Sequence, residues 1–147
     1  MSKLTYNPSD SIIFLTNRVG RLLASHIRCQ NESEEHARML PYIGILVDLW
    51  EKDGVRQQDL AISLIKDKGT IARALTAMET NDLVVRIPDE QDKRNKRIYL
   101  TNKGKKMQSA LKPLADSAIQ RASTGISEEE MSVCKSVLQR MYENLQK

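Results

Sequence analysis

Apolar residues return at three- and four-residue steps through most of the chain, and the breaks in that rhythm divide it into elements. Ile12, Leu15, Val19, Leu22, Leu23 and Ile27 predict an amphipathic helix from Ser9 to Cys29, with Asn7 and Pro8 suited to its cap and first turn. Gln30 to Arg38 is polar and acidic and reads as a loop or a frayed turn. Pro41 then opens a second helix carrying Ile45, Leu46, Leu49 and Trp50, stopped by Asp53 and Gly54. Gln57 to Leu64 forms a short third helix with Leu60, Ala61 and Leu64 on one face. After a tight turn Asp67 caps a fourth, which faces Ile71, Ala74, Leu75 and Met78 inward and ends at Asn81 and Asp82.

The period then changes. Leu83 to Ile87 and Arg97 to Leu100 are short β-prone runs, and Pro88 to Lys96 between them is polar and charged with no apolar residue to bury, which predicts a hairpin with a long exposed tip. Thr101 caps a helix from Asn102 to Thr124 whose apolar side is Met107, Leu111, Leu114, Ala118 and Ile119; Pro113 should bend it and Gly125 ends it. Ser127 and Glu130 have the spacing of a capping box, opening a last helix to Asn144 with the stripe Met131, Cys134, Val137, Leu138, Met141 and Leu145.

Two helices joined by a tight turn and followed by a β-hairpin are the order of a winged helix-turn-helix. The expected class is therefore mainly α with a small β-hairpin wing, an α+β arrangement. Residues 39–101 form the winged unit, and residues 1–38 and 102–147 form a helical dimerisation region. The stripes on the first and last two helices are more than such a unit can cover, and uncovered apolar helices seek a second copy.

Charge sharpens this picture by its location. The chain carries a formal +4, but Lys66 to Lys106 holds eleven Lys and Arg against six acids, so the rest is at −1. A basic middle between near-neutral ends is the footprint of nucleic-acid binding. Helical projection of the fourth helix puts Gly69, Arg73, Thr76 and Thr80 opposite the core, flanked by Thr70 and Ala77, with Lys68 at its start. Slender side chains let the backbone approach a groove, Arg73 can grip a base edge, and the positive helix end with Lys68 can sit on phosphate.

Other chemistry is thinly represented. Only His26 and His36 are present and there is no glycine-rich phosphate loop, so catalysis is not expected. Nor is a cofactor or a metal. Cys29 and Cys134 lie too far apart for a disulfide framework or zinc ribbon and are expected reduced. No apolar run has the length of a signal peptide core or a membrane span, so a cytoplasmic location and no membrane partner are expected.

The segments Gly54–Ala61, Asp67–Arg86 and Pro88–Gly104 give the stretch Ile45–Met107 a family likeness. It resembles the multiple-antibiotic-resistance regulator (MarR) family of bacterial transcription factors. The most specific text is the Asp92-x-Arg94 tip followed by a strand and Leu100-Thr101-x-x-Gly104. The resemblance implies a homodimer on a pseudo-palindromic double-stranded DNA operator, acting as a repressor and released by a small apolar or aromatic effector. It implies that Asp92 orients Arg94 for a minor groove, where narrow width concentrates negative potential. Lys93, Lys96 and Arg97 would meet phosphate, and Lys68, Gly69, Thr70, Arg73, Thr76 and Arg86 complete the expected DNA-binding set. The chain departs from the family pattern at Arg56, where a Ser or Thr cap is usual, and at Ile65–Lys66, where Gly-Val is usual. It departs again at Asp82, a common glycine position, and at Met39–Tyr42. Some members switch through a cysteine and others bind zinc. Here Cys29 reads first as a small buried or interfacial residue and second as a redox sensor, and His26, Cys29 and His36 as a weak metal set.

Overall fold

The computed structural model describes residues 7–30 and 33–146. A short 3₁₀ turn, Pro8–Asp10, precedes α1 (Ile12–Gln30); α2 (Glu34–Met39), a second 3₁₀ turn (Leu40–Tyr42) and α3 (Ile43–Glu51) follow. Then come β1 (Val55–Arg56), α4 (Gln57–Leu64), α5 (Lys68–Thr80), β2 (Val84–Pro88), β3 (Lys96–Leu100), α6 (Asn102–Ala122) and α7 (Glu128–Leu145). The chain divides into two compact units, Arg28–Leu114 and Met1–Ile27 with Ala115–Lys147. No helix among the described residues is long and apolar enough to cross a membrane.

The unit Arg28–Leu114 holds the core. Leu46 and Leu49 of α3, Leu60 of α4, and Ile71, Leu75 and Met78 of α5 close on Leu83, Val84 and Ile98 of the hairpin. The helical members are the positions that the three- and four-residue period marks as inward, and each such side chain removed from water contributes about 1.5–3 kcal/mol. Met107 and Leu111 pack into the same core, so the first half of α6, expected with the terminal helices, belongs here. The sheet order is β1-β3-β2, antiparallel throughout, with Arg86 opposite Ile98 and Ile87 opposite Arg97.

Three local expectations are corrected. The stretch read as a loop contains α2, because Ser33 accepts a hydrogen bond from the His36 N–H at the helix start and Met39 is buried at its end; Asn31 and Glu32 of that stretch lie outside the described residues. Asn7 caps the first turn as expected, but the chain turns extended at Ser11 before α1 begins. The hairpin gains a third strand, the two-residue β1, from the connection before α4.

The helix-turn-helix connection is made at a cost. Ile65 ends α4 in the left-handed region, φ 53° and ψ 48°, with its N–H bonded to the carbonyls of Ala61 and Ile62. A β-branched residue resists that conformation, and Ile65, 81% exposed, gains little packing to offset it. Ile65→Gly should therefore stabilise the fold by about 0.5–1 kcal/mol after the glycine's extra chain entropy is counted. Thermal melts should show a rise in Tm of roughly 2–4 °C; an unchanged or lower Tm would contradict the strain.

In the other unit the described residues bury one side chain, Ala118. Ile12, Leu15, Val19 and Leu22 of α1, Ile119 of α6, and Val133, Val137, Leu138, Tyr142 and Leu145 of α7 are all exposed. The capping box forms as the spacing requires: Glu130 N–H donates to Ser127 Oγ at 3.1 Å, and Ser127 N–H to Glu130 Oε2 at 2.9 Å. Cys29 and Cys134 are exposed and free, so Cys29 is not a buried residue of this chain.

Candidate nucleic-acid interface

Asp67 sets the start of α5. Its Oδ1 accepts the Thr70 N–H at 2.7 Å and its Oδ2 accepts the Thr70 hydroxyl at 2.8 Å. Those two bonds from Thr70, helped by the nearby Arg73 cation, hold the Asp67 carboxyl below the usual aspartate range. Thr70 in turn accepts from Arg73 Nη2 at 3.3 Å, so the arginine lies back along the first turns of the helix. It passes over Gly69, where an added Cβ would stand 3.3 Å from Arg73 Nη1. Lys68, Gly69, Arg73 and Thr76 are exposed, and Thr70 is half-buried. The slender, basic outward face anticipated from the sequence is present.

The wing is tied more tightly than a polar connection suggests. The loop Asp89 to Asn95 closes through Asp89 N–H to Asn95 O at 2.8 Å and Asn95 N–H to Asp92 O at 2.9 Å. Asp89 is buried inside it, which the sequence reading did not foresee. Its carboxylate accepts the Gln91 N–H at 3.0 Å and Arg97 Nε at 3.1 Å, while Arg97 Nη1 reaches back to Gly54 O at 2.9 Å. Arg97, expected to meet phosphate, is thus engaged inside the unit, joining the wing base to the turn before β1.

The Gln91 N–H, followed by the charge and hydrogen bond of Arg97 and the more distant Arg56, holds the Asp89 carboxyl below the usual aspartate range despite the opposing effect of burial. A depressed folded value means that the stabilisation is complete above the unfolded aspartate value, about 3.9, and is lost as pH falls through the lower folded one. NMR titration of the side-chain carboxyl should give Asp89 a midpoint below the ordinary aspartate value of about 3.9, with wing amides losing protection only in the same acid range. A midpoint at or above the ordinary value would contradict the clasp.

Asp92, which the family resemblance implies orients Arg94, meets it through the backbone: its Oδ1 accepts the Arg94 N–H at 3.1 Å, and its Oδ2 accepts from Asn95 Nδ2 at 3.4 Å. The acid shapes the turn that carries the arginine. Lys93, Arg94 and Lys96 are exposed. Lys68, Arg94, Asn95 and Lys96 line one cleft of about 230 Å³ with Gln57 and Gln58. The fold therefore brings the start of α5 and the wing to a common basic recess. Gln57 and Gln58 were not among the residues the sequence singled out, and their place at the first turn of α4, the first helix of the helix-turn-helix pair, was the available signal. Arg86, from β2, is turned towards α5 and bonds Glu79 and Thr76.

Metal chemistry finds no such assembly: no group of three or more His, Cys, Asp or Glu among the described residues is placed to hold an ion.

Residues 40–96 match the sequence profile of the MarR family. The chain is 31% identical over 102 residues to the HTH-type transcriptional regulator YybA of Bacillus subtilis (strain 168), covering 69% of this chain and 68% of that protein. Its fold matches a MarR transcriptional regulator from Methanosarcina mazei Go1 with TM-score 0.73 and 28% identity over 88% of this chain and 92% of the other. A MarR family regulator from Listeria monocytogenes, solved complexed with 26mer DNA, superposes with TM-score 0.80 at 23% identity, covering 93% and 90% of the two chains. That last likeness is one of fold.

Proposed function

The chain belongs to the MarR family of DNA-binding transcriptional regulators, which are not enzymes, and from that premise we propose that it binds a pseudo-palindromic operator as a homodimer and acts as a repressor. The observation that carries this reading is the shared recess, where Lys68 at the start of α5 and the exposed Arg94 and Lys96 of the wing line one cleft. In the proposed complex α5 enters a major groove with Lys68, Gly69, Thr70, Arg73 and Thr76 towards it. The wing offers Arg94 to the adjacent minor groove, with Lys93 and Lys96 on phosphate. Asp92 and Arg97 hold the wing's shape.

The second copy is argued from the terminal helices. α1 and α7 expose rows of Ile, Leu, Val and Tyr that none of the described residues of their own unit covers, and such surfaces favour self-association with closed symmetry. Release by a small apolar or aromatic effector is part of the proposal on family analogy alone.

Two measurements test it. Mass in solution at micromolar concentration should be that of a dimer; a folded monomer that still binds DNA would sink the assembly. Duplexes selected from a random pool by the purified protein should converge on two inverted half-sites about 34–36 Å apart, one helical turn. Unenriched pools or a single asymmetric site would contradict the two-fold reading.

A further inference from the structure

Arg86 belongs to the set expected to touch DNA, yet its guanidinium is committed within the protein. From β2 it donates through Nε to Glu79 Oε1 at 2.5 Å and through Nη2 to Thr76 Oγ1 at 2.9 Å, both acceptors on α5. The arginine side chain is 22% exposed and the glutamate 37%. Thr76 Oγ1 also donates to Ala72 O at 3.0 Å. Its one proton is therefore directed into the helix and one lone pair is taken by Arg86, which leaves the hydroxyl only the capacity to accept.

Glu79 is the informative partner. A carboxylate on the helix that faces a polyanion weakens binding by Coulomb repulsion, and a partly exposed ion pair returns little stability. The pair does join α5 to the first strand of the wing, from partners seven positions apart with the turn at Asn81 and Asp82 between them. The two DNA-reading elements are thereby held in one relative geometry.

We propose that Arg86 is a positioning residue and Glu79 its anchor: together they fix α5 against β2 and present Thr76 as a pure hydrogen-bond acceptor. In a major groove such a group selects an exocyclic amino donor, adenine N6 or cytosine N4. The inference rests on the DNA-binding reading above.

The test titrates Glu79→Gln, Arg86→Gln, Arg86→Lys and the double variant Glu79→Gln/Arg86→Gln against the duplex selected by the wild-type protein and a scrambled duplex, at several salt concentrations. Electrostatics alone predicts that Glu79→Gln binds both duplexes more tightly. The clamp predicts the opposite on the selected duplex, a loss of roughly tenfold, with scrambled binding unchanged or tighter. Arg86→Gln should lose as much while keeping the wild-type salt dependence, and the double variant should be no worse than either single one. Arg86→Lys should recover part, since an ammonium can reach Glu79 but lacks the fork that also spans Thr76. Tight operator binding by Glu79→Gln would overturn the clamp. So would a salt dependence shallower by about one phosphate equivalent per subunit in Arg86→Gln, the mark of direct contact. Should Arg86→Gln fold poorly, Glu79→Gln, nearly isosteric, decides the matter alone. Wild-type protein that fails to bind DNA would remove both readings; wild-type discrimination matched by Glu79→Gln would remove only this one.

Discussion

Arg73→Ala should abolish most of the preference for the selected operator while leaving binding to scrambled DNA largely intact. The guanidinium stands on the exposed face of α5, where it donates to the Thr70 hydroxyl, itself held by Asp67. A bidentate contact to a base edge is worth about 1–3 kcal/mol per half-site, and a two-fold dimer doubles it. Arg94→Ala should fail differently. A minor-groove arginine makes a mainly electrostatic contact, so affinity should fall on both duplexes and the salt dependence should become shallower by about one phosphate equivalent per subunit. Asp92→Ala should weaken binding partly, by loosening the turn that carries Arg94, since its carboxylate holds the Arg94 N–H. Equal losses on both duplexes for Arg73→Ala would assign that residue to phosphate and pass base reading to Thr70 and Thr76. No loss for Arg94→Ala would remove the wing from the mechanism.

The second large effect is on the fold. A Cβ added at Gly104 would lie 2.3 Å from the Leu83 carbonyl oxygen and 3.0 Å from Leu100 Cδ2. That oxygen is fixed, because it accepts the Thr101 N–H at 3.0 Å at the start of α6. Gly104 O meanwhile accepts from Trp50 Nε1 at 2.9 Å, so α6 cannot move away without breaking a contact to α3. Forcing atoms into a packed site costs about 1–3 kcal/mol, and here the obstacle is backbone, so Gly104→Ala should fall at the upper end. Chemical denaturation should show the midpoint lowered with DNA affinity falling alongside; a variant as stable as the parent would contradict the close approach. The same contacts explain the Leu-Thr-x-x-Gly text: Thr101 Oγ1 accepts the Gly104 N–H at 3.0 Å and donates to Asp82 O, and glycine is what the crossing allows.

What could be read in the sequence was local. Asp67 and Ser127 announce their helices because a cap and its target lie three residues apart, and the inward faces of α4 and α5 follow from helical period. The winged architecture and the slender basic face of α5 were legible for that reason. What escaped depends on partners far along the chain. Asp89 looks like one more loop acid until Arg97 and Gly54 are brought beside it, and Arg97 and Arg86 look free until the sheet turns them inward. α2 is too short and polar to show a period, and β1 pairs with β3 only because the hairpin already exists.

The most direct test of the account is the affinity of the wild-type protein for its selected duplex measured against salt concentration. With six to ten phosphate contacts, binding should weaken by roughly 10³–10⁵ between about 50 and 200 mM salt, and the selected duplex should stay well ahead of the scrambled one throughout. Binding that is absent, or that is indifferent to both salt and sequence, would contradict the assignment of α5 and the wing to DNA.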